Sequence, residues 1–308
     1  MPDRYGQLDD VVLGFDSAEA YLASNAYFGA VVGRYANRIR AGRFTLDGRE
    51  VRLAVNDGYN CLHGGPLGFS RRVWSVDDTV GAPPATASFV LVSVDGDQGF
   101  PGEMVARVTY SWSDDFCLDI DYAAMTTAAT PINLTQHSYF NLSGITRKAA
   151  PILDHLLTIH ASHYLPVDEA LLPLGLLQTV KGSPFDFNQP KRIGRDIDAD
   201  DAQLRLAGGY DHDWALAGEG FRLVAELSHP LSGRSMAIFT DQPGLQVYSG
   251  NLLGQEAPGK YGVHYARHSG VALETQHWPD SPNHQRFPDT VLRPGETFRS
   301  RTRYAFST

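Results

Sequence analysis

Along most of the chain, hydrophobic and polar residues alternate in short runs broken by Gly, Pro, Asp and Asn. A period of two places successive side chains on opposite faces of an extended strand, so the pattern predicts an all-β protein. Residues 42–55 (GRFTLDGREVRLAV) read as a hairpin turning at Asp47-Gly48. Residues 87–114 read as strand, loop, strand, residues 117–126 as the next strand, residues 221–251 as three more, and residues 290–307 as a closing pair. A helical period is weak throughout. Only 17–25 (SAEAYLASN) predicts a short helix, with Ser17 as its N-cap. No linker, low-complexity tract or fixed-period repeat divides the chain. This predicts one domain over residues 1–308 and a large antiparallel β-sandwich; periodicity alone does not separate that from a barrel.

One stretch departs from an ordinary half-exposed strand. In NLTQHSYFNL (133–142), Asn133, Thr135, His137, Tyr139 and Asn141 fall on one face. Ile132, Leu134, Phe140 and Leu142 fall on the other, with Gln136 and Ser138 as exceptions. The polar face carries no Lys or Glu, which fits a polar cleft better than open solvent. Other segments set polar residues in similarly unusual places: Asn37-Arg38 in GRYANRIRAG, His63 before two glycines in NCLHGG, and Asp211 in GYDHDW. Gln246 and Tyr248 share a face in PGLQVYSGN, and Glu274 shares one with Ala272, Gln276 and Trp278 in GVALETQHWPD. Singly, each has a plain structural reading: a hydrogen-bonded histidine, a salt-bridged glutamate, a turn, a turn cap. Their joint presence in one all-β chain favours a site. His155, His160 and His163 cluster in sequence, but 160 leaves the face shared by the other two, a poor zinc geometry. No metal is expected.

Composition narrows the partners. The formal charge is −9 and no Lys/Arg run exceeds two residues, which argues against nucleic acid and anionic membrane. No stretch approaches the roughly 20 apolar residues of a membrane span. The opening MPDRYGQLDD has neither a basic nor an apolar leader region, so a cytoplasmic protein is expected. Cys61 and Cys117 are the only cysteines and are expected to be free thiols.

The strings YFGAVVGRYANRIRAGRF (27–44), LHGGPLGFSRRVW (62–74), TPINLTQHSYFNLSG (130–144), YLPVDEALLPLG (164–175), PFDF (184–187), GYDHDW, PGLQVYSGN and LETQHWPDSPNHQRFP (273–288), in this order, closely resemble the aldose 1-epimerase (galactose mutarotase) family. The resemblance implies a β-sandwich with a sugar cleft on the concave face of one sheet. It implies interconversion of the α and β anomers of free aldohexoses such as glucose and galactose, without a cofactor. On that resemblance His137 matches the catalytic acid and Glu274 the base. Asn37, Arg38, His63, Tyr139, Asp211 and Gln246 match sugar-binding positions. Gln136 and His277 stand where the family more often has Asn, and the family's usual first strands, ahead of DDVVLGF, have no counterpart here.

The chemistry suits these residue types. A base takes the proton of the anomeric hydroxyl while an acid protonates the ring oxygen, and the roles reverse on closure. A buried Glu274 is expected to be a strengthened base and His137 to rest protonated beside it. Trp278 is expected to offer an aromatic platform to the sugar's C–H face. Three rivals remain: a catalytically silent sugar-binding sandwich, a glycoside hydrolase using Asp211 and Glu274, and a hexose-phosphate epimerase whose phosphate would need arginines, Arg71-Arg72 being the nearest pair. The expected partner is a monosaccharide, and the chain a monomer or homodimer.

Overall fold

Alternation resolves into two antiparallel sheets in the computed structural model, which describes residues 1–308. The nine-stranded sheet runs in the order Lys191–Arg192, Leu156–Ile159, Arg222–Ser228, Ser235–Thr240, Phe298–Ser307, Cys117–Thr126, Met104–Trp112, Ala85–Ser93, Ser75–Val80. The six-stranded sheet runs Tyr139–Phe140, Val271–Gln276, Gly244–Tyr248, Asp211–Leu216, Ala161–Leu165, Gln178–Thr179. Residues such as Leu157, Trp214, Val224, Ile238, Leu245, Leu273 and Tyr304 share one continuous core, the sandwich interior. No helix is long and apolar enough to cross a membrane.

The two sheets differ in what covers their other faces. In the nine-stranded sheet Val105 and Met125 turn to solvent. Its last strand, Ser75–Val80, is exposed at every position. In the six-stranded sheet, Val271–Gln276 is buried at every position. The first third of the chain roofs it. Ala30–Val32 pairs with Thr135–His137, and Arg38–Ile39 pairs with Cys61–Leu62. Its edge at Tyr139–Phe140 is met by Val12 and Leu13. A polar residue on the roofed face is therefore buried although it points away from the core.

Most predicted elements are present. The hairpin pairs Arg43–Leu46 with Arg49–Arg52, and Asp47 (φ 47°) and Gly48 (φ 76°) both turn left-handed, as a two-residue hairpin loop requires. The helix spans Ala18–Ala23, and the Ala20 amide donates to the Ser17 hydroxyl. A second helix, Ala202–Ala207, was not anticipated; Asp201 caps its start and left-handed Gly208 its end. The closing pair does not pair with itself. Val291–Leu292 joins Thr130–Pro131, while Phe298–Ser307 lies between Ser235–Thr240 and Cys117–Thr126. The stretch 133–142 is two short strands, because the chain changes partner at Ser138: His137 ladders with Ala30, and Tyr139 with Ala272.

Candidate active site

Three adjacent strands supply the floor. Gln246 stands opposite both Glu274 and Asp213, and Tyr248 opposite both Ala272 and Asp211. This register puts Asp211, Gln246, Tyr248 and Glu274 on the roofed face. Gln246 Nε2 donates to Asp211 Oδ1 at 2.6 Å, which orients the carboxylate. Glu274 is 2% exposed, and its Oε1 lies 3.5 Å from His137 Nε2.

The roof supplies the walls. Asn37 (φ 62°) and His63 (φ 52°) both take left-handed conformations that non-glycine residues pay strain to hold. They hold each other. His63 N–H donates to Asn37 O at 3.0 Å, and Asn37 N–H donates to His63 Nδ1 at 3.1 Å. Because Nδ1 accepts an amide hydrogen, the ring proton of neutral His63 is on Nε2. Arg38 Nε bonds Asp57 at 2.7 Å. Together with Tyr27, Tyr139 and Tyr248, these residues line a cavity of about 300 Å³. Seven of the eight residues expected at the site reach it: Asn37, Arg38, His63, His137, Tyr139, Asp211 and Glu274. Gln246 sits one step behind, holding Asp211.

Burial dominates the electrostatics. It pushes Glu274 well above the usual carboxylate range; Asp211 adds to the shift, and Arg38 opposes it. Asp211 is also raised by burial, against Arg38 and the Gln246 hydrogen bond. Burial pulls His137 down to about 4 and His63 well below its ordinary value. The expectation of a resting imidazolium at His137 is therefore overturned: the cost of burying the cation outweighs a carboxylate 3.5 Å away. Burial thus favours the neutral form of both members of the close pair. His63, His137 and Glu274 also bring three potential ligand atoms within 4.8 Å of one another. With its proton on Nε2, His63 turns a donor rather than a lone pair into the cavity, which suits a hydroxyl oxygen better than a cation.

The aldose 1-epimerase profile matches residues 1–305. Galactose mutarotase of Bos taurus is 45% identical over 306 residues, 99% of this chain and 86% of that protein. Aldose 1-epimerase of Escherichia coli K12 is 42% identical over 310 residues, covering 99% and 87%. The crystal structure of an aldose epimerase homologue from C. elegans superposes with a TM-score of 0.90 at 31% identity, over all of this chain and 90% of the other. The chain belongs to the aldose 1-epimerase family. Its reaction is the interconversion of aldose anomers, and the antiparallel sandwich is the family's fold.

Several positions of this aldose 1-epimerase differ from expectation. Trp278 is no sugar platform: its Nε1 donates to Pro243 O and its ring packs edge-on against Phe287. The aromatic wall comes instead from Tyr139, Tyr248 and Tyr27, whose ring stacks on His137 at 5.7 Å. Tyr27 opens one of the family-like strings, but a lone aromatic gave no sign of facing a cleft. Most of the polar face of 133–142 is structural. Asn133 bonds Ala36 O and His277 O, Thr135 bonds Thr275 O, and Asn141 bonds Ala150 O and Ser269 O. Gln136 and His277, the departures from the family pattern, lie outside the cavity. Gln136 links Tyr110 to Gly29 O, and the His277 ring bonds Gln242. His155 accepts from the Leu142 amide and packs tilted against His229, not gathered with His160 and His163. Arg71 is spent on Leu22 O, Ser24 O and Asn25, and Arg72 on Asp97, so neither is free for a phosphate.

Proposed function

We propose that this aldose 1-epimerase acts on free aldohexoses such as glucose and galactose, with Glu274 as the base and His137 as the acid. The observation that carries the reading is the pair itself: two buried titratable side chains, 3.5 Å apart, lining one cavity. A sugar bound there replaces lost solvation with hydroxyl groups and favours the ion-pair form, carboxylate and imidazolium. Glu274 then removes the anomeric proton while His137 protonates the ring oxygen. The C1–O5 bond breaks, the aldehyde turns about C1–C2, and the reverse transfers close the ring on its other face. No cofactor is called for, since each charge that develops is cancelled by a proton transfer.

Asn37, Arg38, His63 and Asp211 are assigned to the sugar hydroxyls, with Gln246 orienting Asp211 and Tyr139 walling the ring. A cavity of about 300 Å³ is at the small end for ligand sites, which favours a single monosaccharide. All these groups lie in one chain and one domain, so a monomer or a homodimer would be complete. The test is polarimetry on fresh α-D-glucose and α-D-galactose. Glu274→Gln and His137→Asn are each expected to lower kcat by about 10²–10⁴-fold with the fold intact. A Glu274→Gln enzyme of near-normal rate would remove Glu274 from the role of base.

A further inference from the structure

Asp213 stands two residues beyond Asp211 and so on the same face of its strand. It is 2% exposed and lies outside the cavity lining. Gly244 and Trp278 close over it: a Cβ at Gly244 would meet Asp213 Oδ1 at 2.5 Å and Trp278 Cδ1 at 2.9 Å. One hydrogen bond reaches the carboxyl, from Gln276 Nε2 to Oδ2 at 3.1 Å. Its second oxygen, Oδ1, is buried with no partner, and so is Gln276 Oε1.

Both orphan atoms are acceptors if Asp213 is ionised, and neither can then satisfy the other. A primary amide and a carboxylic acid have complementary edges, each with one donor beside one acceptor. A single proton on Asp213 Oδ1 would give the two orphans complementary roles, donor and acceptor, as a closed amide–acid pair requires. Burial favours the same state, pushing Asp213 well above the usual carboxylate range against the one Gln276 bond. The charged and titratable groups around Glu274 leave this proton in place. Asp211 comes from the same strand as Asp213, His63 and Arg38 come from the roof, and His137 from the strand that pairs with roof strand Ala30–Val32. Tyr139 flanks Glu274 at the sheet edge, and Tyr122 and Tyr304 lie behind it in the core. Arg38 is the one cation among them, and it acts on Asp211 and Glu274.

We propose that Asp213 is a neutral carboxylic acid joined to the Gln276 amide by two hydrogen bonds, and that this uncharged pair positions the strand carrying Glu274 without adding a further negative charge to that of Asp211 near the base. The positional half rests on Glu274 being the base; the protonation half does not.

Asp213→Asn separates the two. The folded wild type keeps a proton that its unfolded chain loses above about pH 4. Raising the pH from about 5 to 7 therefore weakens wild-type folding through this group, and the variant escapes that loss. The ratio of the variant's folding constant to the wild type's is expected to rise with pH from about 5, by about tenfold per pH unit for as long as Asp213 keeps its proton, in denaturant titrations. A ratio independent of pH would show Asp213 ionised in the fold and overturn the proposal. A variant that fails to fold would also overturn it, because an amide can supply both hydrogen bonds. In the same protein the acidic limb of kcat/KM is expected to stay in place. A limb displaced by a pH unit or more toward acid would show that Asp213 had been charged beside Glu274. An active Glu274→Gln enzyme would sink the base assignment while leaving the proton count standing.

Discussion

At the scale of single residues, the site works through burial rather than through a strong ion pair. His137 is drawn down to about 4 while Glu274 is held well above an ordinary carboxylate. The pair is productive while it holds one proton. Acid adds a second proton at His137, and alkali removes the only one. The kcat/KM profile is therefore expected to be bell-shaped, with its acidic limb near pH 4 rather than near the ordinary histidine value of about 6.5. An acidic limb at 6 or above would mean that His137 is not held neutral. At His63 the contribution is a fixed tautomer: the Asn37 amide on Nδ1 leaves the Nε2 proton for the sugar. His63→Gln keeps a donor on a less constrained stem. It is expected to raise KM about 10-fold or more, at roughly 1.4 kcal/mol per decade, with a smaller effect on kcat.

At the scale of elements, the roof segments carry as much of the site as the sheet does. The His63 turn depends on Gly64, whose φ is +85° and where a Cβ would fall 1.9 Å from Gly33 O. The obstruction is backbone and cannot rotate away. Gly64→Ala is therefore expected to cost at least about 1–3 kcal/mol in stability and to cut activity by displacing His63 and Asn37. Thermal unfolding together with kcat/KM would check it, and an unchanged Tm would show that the turn tolerates a side chain. This level also shows what the sequence could and could not reveal. Glu274 was legible because a carboxylate between Leu273 and Thr275, with an amide on its own face, does not look like a surface charge. Asp47-Gly48 was legible because its backbone requirement is local. The break at Ser138 was not legible, since it arises from a change of partner strand far away in sequence. For the same reason Asn133, Thr135 and Asn141 looked like a cleft lining. A polar residue bonded to a distant carbonyl and one awaiting a ligand have the same local pattern.

For the whole molecule, pH dependence is a balance of buried groups with opposite signs. His155 and His212 are pulled down to about 3, and His137 and His277 to about 4, all by burial. As pH falls below about 6.5 the unfolded chain takes protons that these folded histidines refuse, so stability falls with pH. Glu274, Asp211 and Asp213 are raised and act oppositely, holding protons in the fold that the unfolded chain gives up. His63, His229 and His268 are lowered as well, so the histidines outnumber the raised carboxyls and net stability is expected to fall as pH falls from about 6.5 to 4, by less than the histidines alone would give. Removing one member should unmask its share. His212, whose Nδ1 accepts the Asp211 amide, lies outside the cavity. Relative to His212→Asn, the wild type is expected to lose about 1.4 kcal/mol per pH unit on going from about pH 6 to 4. Parallel stability curves would show that His212 is protonated in the fold.

The exposed strand Ser75–Val80 bears on a different property. It contributes nothing to the cavity, yet it offers an open row of amides and carbonyls with Val76 and Val80 beside them. Such a row is a template on which another molecule could extend the sheet. Two features blunt it: a register shift between Val76 and Asp78, and the adjacent acids Asp77 and Asp78, the former bridged to Arg107. Copies approaching edge to edge would set these acids against one another and meet a ladder whose spacing is interrupted. Substitutions at Asp77 and Asp78 are thus expected to change self-association at high concentration without touching turnover, because the strand lies away from the cavity.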